Sequence, residues 1–217
     1  MKFWKNLAVI SIIVSGSCSA YASEITLNEI VAKMDSAEKK IESLQFGFTQ
    51  EIVYGITGER QSNSGEAVFQ KPDNLYMKQQ NPIEQVIVSN GRKVWIYTPA
   101  YRQVIVDKWK KWASSSMIPA SMTNFGESIS DLRLKYDFTY AGVDNSMYVL
   151  VLVPKKKEQW QLKLWIDQES FLPVVTCLTG ENVSITTETS SLKVNPKLDI
   201  RMFNFQPPAG VEVLNLP

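Results

Sequence analysis

Histidine is absent from the sequence. Its absence excludes Ser-His and Cys-His nucleophile pairs, zinc sites with histidine ligands and the most common side-chain proton shuttle. The acidic residues form no recognisable catalytic motif, and solvated surface is the usual place for such side chains. We therefore expect no enzymatic activity, and nothing in the residue pattern requires a metal or another cofactor.

Long apolar runs are absent too, because the N-terminal run, residues 7–14, is too short to span a bilayer. It follows two lysines and precedes a small-residue stretch that ends in Ala-Tyr-Ala. This combination is typical of a secretory signal peptide. The sequence therefore predicts a signal peptide over residues 1–22, cleavage before Ser23 and one mature domain over residues 23–217.

Cysteine is scarce, with Cys18 and Cys177 alone in the chain. The small residues before Cys18 leave a second interpretation open, in which a lipoprotein signal ends at this cysteine and a lipid is attached to it. The aliphatic residue usual three positions ahead of such a cysteine is missing. In either case Cys177 has no intramolecular disulfide partner. Its Val-Val-Thr-Cys-Leu context predicts a buried small hydrophobic side chain.

Excess charge of either sign is lacking. The chain has 23 Lys and Arg against 22 Asp and Glu, and removal of Lys2 and Lys5 with the signal peptide leaves 21 against 22. This balance predicts no general attraction to nucleic acid or to an anionic membrane. The basic cluster Lys155-Lys156-Lys157 is typical of a solvated turn.

The first element expected in the mature chain is a helix that begins at Leu27. Thr26 and Glu29 form a capping box, and Ile25 can pack against Ile30 as a hydrophobic staple. A single apolar stripe at helical spacing predicts that this helix lies against a sheet. The stripe consists of Leu27, Ile30, Val31, Met34, Ala37, Ile41 and Leu44.

From residue 44 the period changes to two, which predicts strands. Phe46 and Phe48 alternate with polar or small residues, and the run 65–70 behaves likewise. Asn90-Gly91 is the clearest turn signal, because both residues suit the positive backbone angles of a tight hairpin. Further strands are expected at 75–79, 86–89, 93–97, 103–107, 134–141, 148–153, 161–167, 172–178, 183–194, 202–205 and 210–213.

Residues 109–133 interrupt the alternation. They are rich in Trp, Met and Phe, are broken by Pro119 and Gly126, and are spaced like short helical or irregular pieces. Such a segment suits either a mobile cover or a pair of short helices packed permanently on the sheet. The remaining strands, joined by short turns, predict an antiparallel meander that must roll up or bury one face.

A rolled sheet with these covers would have a concave apolar surface. Such a surface suits an acyl ligand, because each buried methylene contributes about 0.8 kcal/mol. Ordinary core packing is an equal alternative for any single residue, and period alone does not show whether Trp95 and Tyr97 or Val94 and Ile96 face inward. The lining candidates are Phe46, Phe48, Phe69, Met77, Trp95, Tyr97, Trp109, Met117, Ile118, Met122, Trp165 and Ile166.

A series of short motifs runs through nearly the whole mature chain. They are Phe48-Thr49-Gln50, Ser64-Gly65-Glu66, Lys71-Pro72, Pro82 with Gln85, Ser89-Asn90-Gly91, Trp95 with Tyr97, Pro99 with Gln103, Asn195-Pro196, Phe203-Asn204-Phe205 and Pro208-Ala209-Gly210-Val211-Glu212-Val213. In order and spacing they resemble the periplasmic outer-membrane lipoprotein carrier family, LolA. The resemblance implies a mainly β, α+β fold. It would be a single antiparallel, strongly curved, unclosed β-barrel of about ten or eleven strands, with an N-terminal helix and short lid helices over a hydrophobic cavity.

The resemblance also implies a function. The protein would be a periplasmic carrier that accepts lipoproteins from an inner-membrane lipoprotein-releasing ABC transporter, shields their acyl chains and delivers them to an outer-membrane acceptor. It would work as a monomer without a cofactor or nucleic acid. Residues 109–133 would be the lid. The family commonly has a lid-tethering arginine where this chain has Lys71, and lysine lacks the planar multi-donor fork of arginine.

Three alternatives stay open. The same fold could serve an outer-membrane-anchored acceptor, LolB-like, that keeps a lipidated Cys18. It could also serve a periplasmic lipid-sensing regulatory module, although no additional interaction domain is visible in the sequence. An enzyme acting on lipids is the third alternative, and turnover of a labelled lipopeptide would distinguish it from a carrier.

Overall fold

The computed structural model describes residues 25–113, 129–156 and 159–216. The expected signal peptide over residues 1–22, Cys18 and the lining candidates Met117, Ile118 and Met122 lie outside these ranges. None of the described helices combines the length and the apolar character needed to cross a bilayer.

Twelve strands form one sheet that is curved and does not close, which confirms the expected fold class with twelve strands in place of about ten or eleven. Their order across the sheet is β12-β6-β5-β4-β3-β2-β1-β11-β10-β9-β8-β7, so β12 and β7 are the outer strands. The bounds are β1 (Ser43–Tyr54), β2 (Arg60–Gln70), β3 (Asn74–Asn81), β4 (Gln85–Asn90), β5 (Lys93–Thr98), β6 (Gln103–Lys108), β7 (Tyr136–Asp144), β8 (Met147–Pro154), β9 (Trp160–Asp167), β10 (Pro173–Gly180), β11 (Val183–Val194) and β12 (Glu212–Asn215).

The last strand departs from the expected antiparallel meander. β12 runs parallel to β6, with Val213 opposite Val104 and Leu214 opposite Ile105. Every other neighbouring pair is antiparallel. A short turn can join only antiparallel neighbours, whereas the connection over residues 195–211 is long enough to bring β12 in parallel.

The N-terminal helix α1 (Leu27–Glu38) begins where the capping box predicts. The Glu29 N–H donates to Thr26 Oγ1 at 3.3 Å, and the Thr26 N–H donates to Glu29 Oε2 at 2.8 Å. These two bonds satisfy backbone donors that a helix start leaves unpaired. The predicted stripe continues beyond the helix, since Leu44 belongs to β1 and still packs beside Ala37.

Two shorter helices flank the undescribed residues 114–128. They are α2 (Trp109–Ala113) and α3 (Ile129–Lys135). Their positions agree with the short helical pieces expected at the two ends of residues 109–133.

Residues 202–205 do not form the expected strand. A 3-10 helix spans Ile200–Phe203, and the Arg201 N–H donates to the capping Asp199 Oδ1 at 3.0 Å. The Asp199 cap closes this turn and takes the backbone out of a strand conformation. The alternating aromatics, Phe203 and Phe205, pack onto the sheet from outside it.

The β4–β5 hairpin confirms the predicted turn with one difference. Gly91 has a positive φ of 80°, whereas Asn90 ends β4. Asn90 acts through its side chain, whose Oδ1 accepts from the N–H groups of Arg92 at 3.1 Å and Lys93 at 3.0 Å. An Asn side chain can thus close a turn without a left-handed backbone angle.

The two faces of the sheet have different covers. On the helix-covered face, cross-strand partners such as Phe46, Ala67 and Met77 lie side by side, and α1 and α3 pack against the strands. On the opposite face, the 3-10 helix packs against β3 and β4, where Val88 is buried. The protein therefore has an apolar layer on each side of one sheet.

Candidate functional site

A cavity lies on the helix-covered face beneath α1 and α3. About 890 Å³ there is free of protein atoms, and this volume includes space that is open to solvent. Twelve of the sixteen lining residues are apolar. The lining consists of Met34, Ile41, Leu44, Ile129, Leu132, Leu152, Leu162, Leu164, Phe171, Leu172, Pro173 and Leu192, together with Glu38, Lys71, Thr176 and Thr189.

The two helices form one wall of this cavity. Met34 projects from α1, and Ile129 and Leu132 project from α3. These three side chains are buried in one apolar cluster with Leu162 and Leu164 of β9. The C-terminal end of residues 109–133 is therefore in contact with the cavity.

Strands β8 and β9 form the facing wall. Leu152 and Leu162 are cross-strand partners, and Leu164 follows two residues along β9. Alternate residues of a strand share a face, so the three leucines make one continuous apolar surface. The residues between them, such as Lys163, point to the opposite face.

Lys71 lies at the rim of the cavity and bonds to the C-terminal end of α1. Its Nζ is 2.9 Å from Glu38 Oε1 and donates to the Glu38 backbone oxygen at 3.1 Å. Both side chains are half-buried. The residue expected to tether the lid thus ties the β2–β3 turn to α1, and the charge it brings to the cavity is neutralised by Glu38.

A row of polar side chains crosses the helix-covered face from β2 to β11. Gln61 Nε2 donates to Asn63 Oδ1 at 2.9 Å, Asn63 Nδ2 to Gln50 Oε1 at 3.0 Å, and Gln50 Nε2 to Thr187 Oγ1 at 3.1 Å. We call these four residues the polar strip. Thr187 is the cross-strand partner of Thr176, which lines the cavity.

Several lining candidates from the sequence lie on the helix-covered face beside the cavity and do not line it. Phe46 and Phe48 are buried in a cluster with three lining residues, Ile41, Leu44 and Leu172, and Met77 packs against it. Ile166 is buried in the cluster shared by α1 and α3. The structure thus brings these candidates close to the cavity.

Phe69 and Trp109 lie farther from the cavity on the same face. Phe69 is buried opposite Leu44 and Leu75 on neighbouring strands. Trp109 begins α2 and packs with Val94 in a separate apolar cluster over β4 and β5. Their surroundings are those of ordinary core side chains.

Trp95, Tyr97 and Trp165 lie on the opposite face and are not part of the cavity. The ring centroids of Trp95 and Tyr97 are 6.5 and 5.9 Å from that of Phe205. Trp165 donates to Asp144 Oδ2 at 2.9 Å. The structure therefore places these three lining candidates outside this cavity, because Val94, Ile96 and the β9 leucines occupy the helix-covered positions of the same strands.

The leucines of β8 and β9 were missed as lining residues. Their alternation was visible in the expected strands 148–153 and 161–167, but it did not show which strands lie beneath the helices. The clearest available signal was the stripe of α1, because Met34 and Ile41 belong to it and line the cavity. A leucine surface is also less conspicuous in a sequence than tryptophan or methionine.

Cys177 is half-buried on the opposite face and is not the buried apolar side chain that we expected. Its Sγ is 3.5–3.7 Å from the hydroxyl oxygens of Thr179, Ser184 and Thr186. Partial burial raises the pKa of the thiol, but hydrogen bonding with these hydroxyls outweighs it, so the pKa lies below its ordinary value. Lys163 adds to the lowering. Two of the hydroxyls belong to β11, which sequence context could not reveal.

No three His, Cys, Asp or Glu side chains in the described ranges are grouped so that they could hold a metal ion.

The sequence is similar to those of known proteins over most of its length. The outer-membrane lipoprotein carrier protein of Legionella pneumophila (strain Corby) is 27% identical over 198 residues, which cover 89% of this chain and 94% of that protein. The protein of the same name from Methylococcus capsulatus is 28% identical over 203 residues, 90% and 92% of the two chains.

Structural comparison shows a shared fold with an uncharacterized conserved protein from Thermus thermophilus. The TM-score is 0.57 at 12% sequence identity, over 87% of this chain and 98% of that one. The family model described as outer membrane lipoprotein carrier protein LolA matches residues 39–206, well over half of the sequence. The chain therefore belongs to the LolA family of outer membrane lipoprotein carrier proteins.

Proposed function

We propose that this protein is a periplasmic carrier that holds the acyl chains of lipoproteins released from the inner membrane and transfers them to the outer membrane. The observation that carries the proposal is the apolar cavity beneath α1 and α3, in a chain of the LolA family. Relatives over most of its length are named outer-membrane lipoprotein carrier proteins.

An unfilled apolar cavity is unfavourable for the free protein. Its lining lacks the contacts that close packing provides elsewhere. An acyl chain would supply those contacts and contribute about 0.8 kcal/mol for each methylene buried. The cavity is therefore better explained by a guest than by the needs of folding.

The helices provide a way for acyl chains to enter and leave the cavity. α3 has only seven residues, and together with α1 it covers part of a cavity that is partly open to solvent. We infer that residues 109–133 act as the lid, with α3 moving away from β8 and β9 when acyl chains enter or leave. Besides its apolar contacts, α3 is held by a few hydrogen bonds, such as that from Lys155 Nζ to the Arg133 backbone oxygen at 2.7 Å, so it can open without breaking the pairing of β8 with β9.

The proposal includes export and two partners. Removal of the signal peptide over residues 1–22 would place the protein in the periplasm. There it would receive its cargo from an inner-membrane ABC transporter and pass it to an outer-membrane acceptor, without catalysing a reaction. Mass spectrometry of the mature N-terminus separates this carrier from an anchored acceptor, since a chain that starts at Ser23 no longer contains Cys18.

Release of lipoproteins from spheroplasts tests the proposal. The purified protein, added to spheroplasts, is expected to bring lipoproteins into the supernatant and to copurify with them at fixed stoichiometry. A labelled diacyl lipopeptide should bind without turnover. Retention of all lipoproteins on the spheroplasts, or catalytic loss of acyl chains, would contradict a carrier.

A further inference from the structure

The polar strip ends at Thr187, next to Thr176, whose side chain lines the apolar cavity. Thr176 lines the cavity and is 7% exposed, and its cross-strand partner Thr187 is 5% exposed. We propose that these hydroxyls recognise the acyl carbonyl groups of the cargo, with Thr176 as the direct donor. The inference rests on the proposed function, because it names a polar contact for the acyl ligand.

The hydrogen bonds of the polar strip all point the same way. Gln61 donates to Asn63, Asn63 donates to Gln50, and Gln50 donates to the hydroxyl oxygen of Thr187. Bonds aligned in series polarise one another. Because the Thr187 oxygen already accepts a bond, its own hydrogen is free to donate, and its cross-strand partner Thr176 lines the cavity.

Thr176 has unused hydrogen-bonding capacity. Within the part of the chain that the structure describes, neither its hydroxyl nor the Thr187 hydrogen has an acceptor. A ligand acceptor in the cavity would give the Thr176 hydroxyl a partner without displacing a hydrogen bond to protein. The leucines around the cavity offer no acceptor, so a ligand that brings one would complete the pairing of this hydroxyl.

The charges of the cavity lining favour an uncharged hydrogen-bond acceptor in the ligand. Among the lining residues that the structure describes, Lys71 is the only cation and is paired with Glu38 at 2.9 Å, so these residues offer no unbalanced charge to a phosphate or carboxylate. An ester or amide carbonyl is uncharged, accepts hydrogen bonds and is attached directly to a long methylene chain. This chemistry fits an apolar cavity with one or two hydroxyl donors on its wall.

The test compares two probes that differ only in their carbonyl groups. One is a lipopeptide with two ester-linked palmitoyl chains, and the other carries two ether-linked hexadecyl chains. We expect wild type to prefer the ester probe by roughly five- to tenfold, the range for one hydrogen bond. Thr176→Val should remove this preference without lowering the Tm, since valine has the same shape and no bond to protein is lost.

Two further variants complete the experiment. Thr176→Ser keeps a hydroxyl and should keep the preference. Thr49→Val makes the same chemical change at an exposed position of the opposite face and should also keep it. An unchanged preference in Thr176→Val, or equal affinity of wild type for both probes, overturns the inference and leaves acyl binding intact. Failure of wild type to bind either probe overturns the proposed function itself.

Discussion

Trp95 and Ile96 are neighbours in β5 with opposite surroundings. Ile96 lies over the apolar cluster of α2, whereas Trp95 packs against Phe205 on the opposite face. Trp95→Ala should lower the free energy of unfolding by about 3 kcal/mol, the low end for a tryptophan because the ring is half-buried. Acyl-lipopeptide affinity should not change, since the cavity lies on the other face.

Urea unfolding and lipopeptide titration measure the two quantities for Trp95→Ala. Tyr101→Ala is the control, because its ring is 65% exposed and its removal should hardly affect stability. A large loss of affinity in Trp95→Ala, at unchanged stability, would place the binding surface on the opposite face.

Leu150 and Leu164 form a matched pair. They are cross-strand partners in one buried cluster, but only Leu164 lines the cavity. Leu150→Ala should cost about 3–4 kcal/mol in stability and Leu164→Ala about 2 kcal/mol, because Leu164 already lacks neighbours on its cavity side. Leu164→Ala alone should weaken lipopeptide binding, by roughly tenfold.

Equal effects of these two substitutions on both stability and affinity would show that the cavity wall is ordinary core. Thermal unfolding of the free protein and fluorescence titration of a labelled lipopeptide separate the two effects.

For single residues, the sequence showed which side chains share a face of a strand, but it did not show which of the two faces lies beneath the helices. Alternation correctly placed Phe46 and Phe48 together on one face, because the strand period is a local property. It could not decide between Trp95 and Ile96, since the choice depends on where α1, α2 and the 3-10 helix pack. Those covers come from distant parts of the chain.

The Lys71–Glu38 pair joins two elements, the β2–β3 turn and the end of α1. Lys71→Met should increase hydrogen exchange at the amides of the last turn, Lys39 to Ile41, because α1 loses its attachment there. Lys71→Arg should leave the protection of these amides at the wild-type level, since arginine can keep the ion pair with Glu38.

Lys39→Met is the control for Lys71→Met, because Lys39, whose side chain is 68% exposed, pairs with Asp35 within the same helix and ties α1 to no other element. Such exposed pairs contribute little. Hydrogen exchange monitored by mass spectrometry gives the comparison, and equal loosening by the two substitutions would mean that Lys71 does not anchor the helix.

Asp167 holds the β9–β10 turn. Its Oδ1 accepts from the Ser170 hydroxyl at 2.6 Å and the Ser170 N–H at 2.7 Å, and these bonds lower its pKa below the ordinary value of 3.8. The stabilisation is present above that ordinary value and is lost as the pH falls through the lower pKa of the folded state. We expect Asp167→Asn to remove this part of the acid sensitivity.

Urea midpoints between pH 5 and pH 2 measure the effect of Asp167→Asn. Asp137→Asn, an exposed carboxylate on β7, serves as the control. An unchanged slope of stability against pH in Asp167→Asn would show that the turn does not depend on the ionised carboxylate.

Elements with local determinants were predictable. The capping box fixed the start of α1, and the period of two located most strands. The 3-10 helix at Ile200–Phe203 and the parallel β12 were not predictable, because both depend on a long connection that returns across the sheet. The aromatic residues of that connection, Phe203 and Phe205, are spaced as they would be in a strand, so their pattern did not distinguish a strand from the 3-10 helix.

At the scale of the whole molecule, ligand binding should raise stability. A guest that binds only the folded protein adds about 2.7 kcal/mol when its concentration is 100 times Kd. For a chain of this length that corresponds to a Tm increase of roughly 5–10 °C. Differential scanning calorimetry with a diacyl lipopeptide measures the shift, and the same peptide without acyl chains should produce none.

The free edges of β7 and β12 have a mechanical consequence. A sheet that closes on itself has a diameter set by the number and stagger of its strands. In this protein the two margins are not bonded to each other within the sheet, so its girth can increase by a change of twist while every ladder of backbone hydrogen bonds persists. In the proposed carrier, this freedom would accommodate cargoes with two or three fatty chains.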